Sequence, residues 1–199
     1  MDKARLEAFS DGVFAIAITL LVLDLHVPEV GSGSLADALG HQWPADVSYI
    51  VSFVTIGIIW VNHHNLMRHI RHTDRGLLFL NVFLLMTVAV LPYPTALVSR
   101  YARTPNATTA ALAYGVTMVT MALLFNALWH YSIRGGLLVA GADSREISGI
   151  TRSYLPGPFL YLTGTLTALV DADASLVIYA VIAAFYVASS SLWGRRDAA

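Results

Sequence analysis

Residues 5–25 read RLEAFSDGVFAIAITLLVLDL, from Arg5 to Leu25. The stretch is long and apolar, yet Asp11 sits just inside its start. A carboxylate deep in a bilayer costs at least a few kcal/mol, about 2.5–3.5 on insertion scales. A chain that carries one there has a partner or a task for it. The pattern therefore reads as a first membrane helix with a functional role rather than a plain anchor.

The rest of the composition agrees with a membrane protein. Of 199 residues, 56% are hydrophobic and 13% charged, where soluble domains carry roughly 25% charged residues. The net charge of −1 leaves no global field to attract nucleic acid. There is no cysteine, so disulfides, thiolate metal sites and a cysteine nucleophile are excluded. Lys3 and Arg5 before an apolar run resemble a signal-peptide start, but no Ala-x-Ala site follows Asp24, Leu25, His26, Val27 and Pro28. The run is expected to stay as a retained span.

A spanning helix needs about 20 mostly apolar residues. Six segments qualify, at about 6–27, 46–67, 76–98, 108–131, 154–170 and 174–193. Pro28 and the glycines Gly31 and Gly33 stop the first, and Pro44 suits the start of the second. Pro92 and Pro94 are expected to kink or unwind the end of the third. With both termini in the cytoplasm, the inside holds Lys3, Arg5, Arg68, Arg71, Arg75, Arg134, Arg145, Arg152, Arg195 and Arg196. The outside holds only Arg100 and Arg103, ten against two. No connection is long enough for a soluble domain. The expectation is all-α: one six-span membrane domain over residues 1–199, without internal repeats.

At 1.5 Å per residue, depths can be compared between helices. Asp11 lies six residues beyond Arg5, His63 and His64 four or five before Arg68, Asn81 six beyond Arg75 and Asn126 five before Tyr131. Ser10, Asp11, Trp60, Asn62, His63, His64, Asn81 and Asn126 thus form a polar belt near the inner face. It reads either as interhelical glue or as a gating or proton-sensing network, since a histidine beside a carboxylate titrates near neutrality. Glu7, four residues before Asp11 and of the same sign, directs Asp11 towards another helix. His69 and His72 have helical metal-pair spacing, but Arg68, Arg71 and Arg75 around them repel a cation.

Further along the first helix, Ile16, Thr19, Leu20 and Leu23 fall on one face. The stripe is either a packing face or a pore wall, in which rings of branched side chains gate by dewetting. Asp24 then lies at the outer mouth, where carboxylates raise the local cation concentration, or is an interfacial residue paired with His26. No Thr-Val-Gly-Tyr-Gly carbonyl filter is present.

Arg5-x-x-x-Phe9-Ser10-Asp11, followed by Gly-Val-Phe-Ala-Ile-Ala-Ile-Thr-Leu-Leu-Val-Leu-Asp-Leu, resembles the signature of the transmembrane protein 175 family of potassium channels. The resemblance implies a homotetramer of single six-helix repeats whose first helices line the pore. It places the narrow isoleucine ring on Ile16, further hydrophobic rings on Leu20 and Leu23, and a threonine layer tied to potassium preference on Thr19. It gives Arg5, Phe9, Ser10 and Asp11 the task of holding the pore helix against its neighbours. It further implies potassium as the permeant ion, no cofactor, and a multi-pass protein of the cell membrane. The animal members are also linked to proton conduction. Three readings follow: a potassium-preferring channel, a proton channel or proton-coupled carrier using Asp11 and the inner histidines, and a histidine-based metalloenzyme.

Overall fold

A computed structural model describes residues 2–29, 33–141 and 143–193, with side chains described as far as residue 188. Arg195 and Arg196, which entered the orientation count, lie outside the described residues, as does Gly31. The fold is all-α. Among the described residues the one strand-like feature is an isolated antiparallel bridge between Ile70 and Leu138.

The first segment is α1, Lys3–Leu20, capped by the Asp2 side chain on the Ala4 amide. It tightens into a 3-10 turn, Leu21–Asp24. The helix was expected to run to Val27. It stops short because the Leu25 amide bonds back to the Val22 carbonyl at 3.1 Å and Leu25 turns extended (φ −82°, ψ 99°). Pro28 then bars a return to helix by restricting the residue before it.

A short helix, α2, Leu35–His41, precedes α3, Trp43–Arg68. Pro44 sits in the first turn of α3, where its missing N–H is no loss. The third segment is two helices, α4 (Arg75–Val90) and α5 (Pro92–Tyr101), meeting at Leu91. Pro92 cannot donate to the Val88 carbonyl, and the Leu91 amide takes that carbonyl instead at 3.2 Å. Next comes α6, Ala107–Arg134. It ends in a Schellman motif: the Leu137 amide reaches the Ser132 carbonyl, the Gly136 amide the Ile133 carbonyl, and Gly136 takes φ +64°.

The connection after α6, too short for a soluble domain, carries α7, Ser144–Tyr154, capped by Asp143. Leu155 and Pro156 lead into α8, Pro156–Thr167, and α9 follows over Ala172–Trp193. Among the described residues, four segments are long and apolar enough to cross a membrane: Lys3–Asp24, Trp43–Arg68, Arg75–Tyr101 and Ala107–Arg134. At 12 residues, α8 reaches only about 18 Å at 1.5 Å per residue, shorter than the segment expected at 154–170. The proline-rich start of that segment and the Asp171 turn trim it at both ends. The last helix, α9, runs 22 residues and covers the segment expected at 174–193.

Two features fix the packing. On the α3–α4 side, the Asp74 carboxylate caps α4 through the Leu77 amide (2.8 Å) and accepts from the Tyr131 hydroxyl of α6 (2.8 Å). Between α6, α8 and α9, backbones approach closely around Tyr179. A Cβ on Gly115 would overlap the Tyr179 hydroxyl and Thr165, and one on Gly164 would lie 2.6 Å from the Tyr179 ring.

Gly164→Ala is expected to destabilise by about 1–3 kcal/mol through overpacking, lowering the melting midpoint in detergent by several degrees. Gly157→Ala, whose Cβ would come no nearer than 3.4 Å to the Tyr186 hydroxyl, should leave that midpoint nearly unchanged. Equal shifts in the two variants would refute the close-approach argument. The Asp74 carboxyl is held below the usual carboxylate range, first by the Leu77 amide and then by the Tyr131 hydroxyl. Because the folded value is the lower one, its stabilisation is present above about pH 4, the unfolded value, and is lost as pH falls through the folded value. A melting series against pH should show Asp74→Ala below wild type at neutrality, with the gap narrowing in acid.

Candidate functional site

The buried face of α1 carries Leu6, Ser10, Phe14, Ala17 and Leu21, at the three- and four-residue spacing of one helix side. It packs against α3, α4 and α5. Ser10, on α1, and Asn81, on α4, are fully buried, and His63, on α3, is 2% exposed. The Ser10 hydroxyl donates to the Leu6 carbonyl (2.9 Å) and accepts from Asn81 Nδ2 (3.0 Å). Asn81 Oδ1 then faces His63 Nε2 at 2.8 Å. An amide oxygen only accepts, so Nε2 carries the proton and donates. Every member of this chain is satisfied, as buried polar groups require. The Phe14 and His63 rings pack 5.4 Å apart beside it.

Asp11 lies outside that chain, on the exposed side of α1. Its Oδ1 accepts from Trp60 Nε1 of α3 at 2.8 Å. The exposed His64 ring lies 6.4 Å from the Trp60 ring. The polar belt expected from depth alone thus divides. Ser10, Asn81 and His63 form one cluster, and Asp11 and Trp60 form another with His64 alongside. Asn62 contributes its backbone carbonyl, which accepts from the Tyr154 hydroxyl at 3.4 Å. Asn126 belongs to neither cluster, because its amide points towards α7 and donates to the Tyr154 carbonyl at 3.1 Å.

The opposite side of α1 is uncovered. Phe9 is 55% exposed, Ile16 61%, Leu20 41% and Leu23 68%. Arg5, Gly12 and Thr19 are exposed as well. In a 3-10 turn side chains at i and i+3 eclipse, so the tightening after Leu20 stacks Leu23 directly beyond it. Thr19 Oγ1 lies 2.9 Å from both the Ala15 and Ile16 carbonyls. Its one hydrogen is spent on its own helix, which leaves lone pairs on the exposed side. Asp24 is half-buried at the outer end. His26 does not pair with its carboxylate: the ring Nδ1 instead lies 2.9 Å from the Asp24 backbone carbonyl.

Sequence reasoning missed a second polar node. The Ser52 hydroxyl of α3 lies 2.8 Å from Thr95 Oγ1 of α5 and 3.2 Å from the Tyr114 hydroxyl of α6. It sits just past the Leu91 break. Scattered hydroxyls in apolar helices carry no spacing signal, and only their apposition reveals the node. Also missed was the tie at the α3–α4 turn, where Arg71 and His72 amides reach the Leu137 carbonyl and the Val139 amide reaches that of His69.

Comparison with known proteins agrees with this arrangement. The family described as endosomal/lysosomal potassium channel TMEM175 matches residues 5–92. A potassium channel of Streptomyces collinus is 44% identical over 188 residues, covering 93% of this chain and 91% of that one. The crystal structure of a lysosomal potassium-selective channel TMEM175 homolog from Chamaesiphon minutus superposes with a TM-score of 0.86 at 37% identity, covering 94% of this chain and 97% of that one. The human endosomal/lysosomal proton channel TMEM175 is 37% identical over 139 residues, 65% of this chain and 28% of its own length. The chain, with its several apolar helices and its Phe-Ser-Asp helix braced on one side and bare on the other, belongs to the TMEM175 family of membrane channels.

Proposed function

We propose that this chain is one subunit of a homotetrameric, potassium-preferring channel of the cell membrane. Each subunit is a single six-span domain with both termini inside, its last two spans supplied by α8 and α9. Four copies of α1 surround the axis. Ile16 forms the narrow ring, Leu20 and Leu23 the outer hydrophobic rings, Thr19 the hydroxyl layer and Asp24 the mouth. Arg5, Phe9, Ser10 and Asp11 hold the helix in place, with Trp60, Asn62, His63, His64 and Asn81 around them.

One observation carries this reading. The first helix spends its buried face on its own subunit and leaves Ile16, Thr19, Leu20 and Leu23 bare. A ring of isoleucines narrows an aqueous path and resists wetting. Lone pairs of Thr19 are then positioned for a cation that has shed part of its water. The potassium-channel name of the Streptomyces relative supports the choice of ion. Conduction is passive and needs no cofactor.

A second reading has its own support, because the human relative is named a proton channel. Asp11 and His64, both exposed near the inner end, are the groups that would relay protons, in a channel or in a small proton-coupled carrier.

The test is the reversal potential of purified protein in a planar bilayer, potassium on one side and sodium on the other. A shift towards the potassium equilibrium potential is expected. A reversal that follows the pH gradient, or flux that saturates and needs a counter-ion, would favour the second reading. Ile16→Asn, which makes the ring hydratable, should raise leak and bring the reversal potential nearer zero; unchanged currents would remove Ile16 from the gate. Thr19→Val keeps the shape but loses the hydroxyl, and is expected to lower potassium preference several-fold while current persists.

A further inference from the structure

A partly open cavity of about 60 Å³ is lined by residues of α3, α6 and the helices α7 to α9. Its walls are mostly aliphatic and aromatic, with Ile58 of α3, Met121 and Phe125 of α6, Tyr161 of α8 and Tyr186 of α9 among them. Asn126 also lines it. The Asn126 Nδ2 donates to the Ala122 carbonyl at 2.9 Å and to the Tyr154 carbonyl at 3.1 Å. Those two partners fix the amide orientation, because the reverse would set oxygen against two carbonyls. Asn126 Oδ1 is left buried with no hydrogen-bond partner. A buried acceptor is costly to leave unmet, and such an atom marks a missing donor.

Size and chemistry together narrow the donor. A single water needs roughly 10–15 Å³, whereas an engineered apolar cavity of about 150 Å³ admits benzene. A volume of about 60 Å³ lies between them. Water also seeks two to four polar partners, and these walls are largely apolar. An occupant with one O–H and a short hydrocarbon body satisfies both the orphaned oxygen and the walls. We infer that this cavity is a binding site for a short-chain aliphatic alcohol, whose hydroxyl donates to Asn126 Oδ1 while its chain lies against Ile58, Met121 and Phe125. The site shares a wall with α3, the helix whose Trp60 holds Asp11.

The site is tested with 3-azibutanol, photolysed with the purified full-length protein in detergent, and the adducts mapped by mass spectrometry. Adducts are expected on the cavity tyrosines and to fall several-fold under excess 1-butanol. Asn126→Leu, which keeps the shape and removes the acceptor, should abolish the competed adduct. Ala122→Ile, which fills the cavity and leaves the Asn126 amide in place, should do the same, and decides the matter if the first variant does not yield folded protein. No competed adduct at the cavity would mean that water alone satisfies Asn126 and would overturn the proposal. An adduct unchanged in the folded variants would overturn it equally.

Discussion

Much of the molecule depends on one hydrogen-bonded chain, from His63 through Asn81 and Ser10 to the Leu6 carbonyl. In a low-dielectric interior each of these groups is expensive if unpaired. All three side chains must therefore face one another, and this fixes the rotation of α1 about its axis. Rotating α1 by one residue, about 100°, would carry Ser10 off Asn81 and leave buried donors and acceptors unmet. The rotation that satisfies the chain also turns Ile16, Thr19 and Leu23 away from the subunit. The bare face is thus a consequence of a buried bond some two turns below it.

The helix that organises these contacts is α3. It gives His63 to the chain on α1 and α4, Trp60 to Asp11, Ser52 to the node with α5 and α6, and the Asn62 carbonyl to α7. Polar side chains are set at intervals along an otherwise apolar rod, each committed to a different neighbour. Without a hydrophobic driving force between helices in lipid, such contacts and close packing specify the arrangement. The break at Leu91 lets the third segment follow both partners, with α4 meeting α1 and α5 meeting α3 and α6.

Apolar length made the first four segments legible, and Pro44, Pro92 and Pro94 marked where backbone donors go missing. The ends of α1 and α8 were less legible, because hydropathy continues past the point where the backbone leaves helix. The capping pattern Asp143-x-x-Glu146 and the Ser34-x-x-Asp37 pattern announce α7 and α2, but both lie in polar stretches that read as connections. Depth along each helix put Ser10, His63, Asn81 and Asn126 at one level, and hydrogen bonds join the first three. Depth is a single coordinate, however, and contact also needs azimuth and helix order. Asn126 faces Tyr154, so it joins a different neighbourhood. The relation of Asp11 to Trp60 needed the same missing coordinate.

The last turn of α1 carries no basic residue, and the 3-10 turn beyond it ends at Asp24. The peptide dipoles of a helix sum to about half a negative charge at its C-terminal end, and here no lysine, arginine or histidine within that turn cancels it. The backbone itself thus makes this end of α1 electronegative, although the His26 ring meets one of its carbonyls, that of Asp24. In the proposed tetramer four such ends would converge and amount to about two elementary negative charges. In that proposed assembly a cation would meet a well built from carbonyl groups, which the carboxylate of Asp24 would deepen.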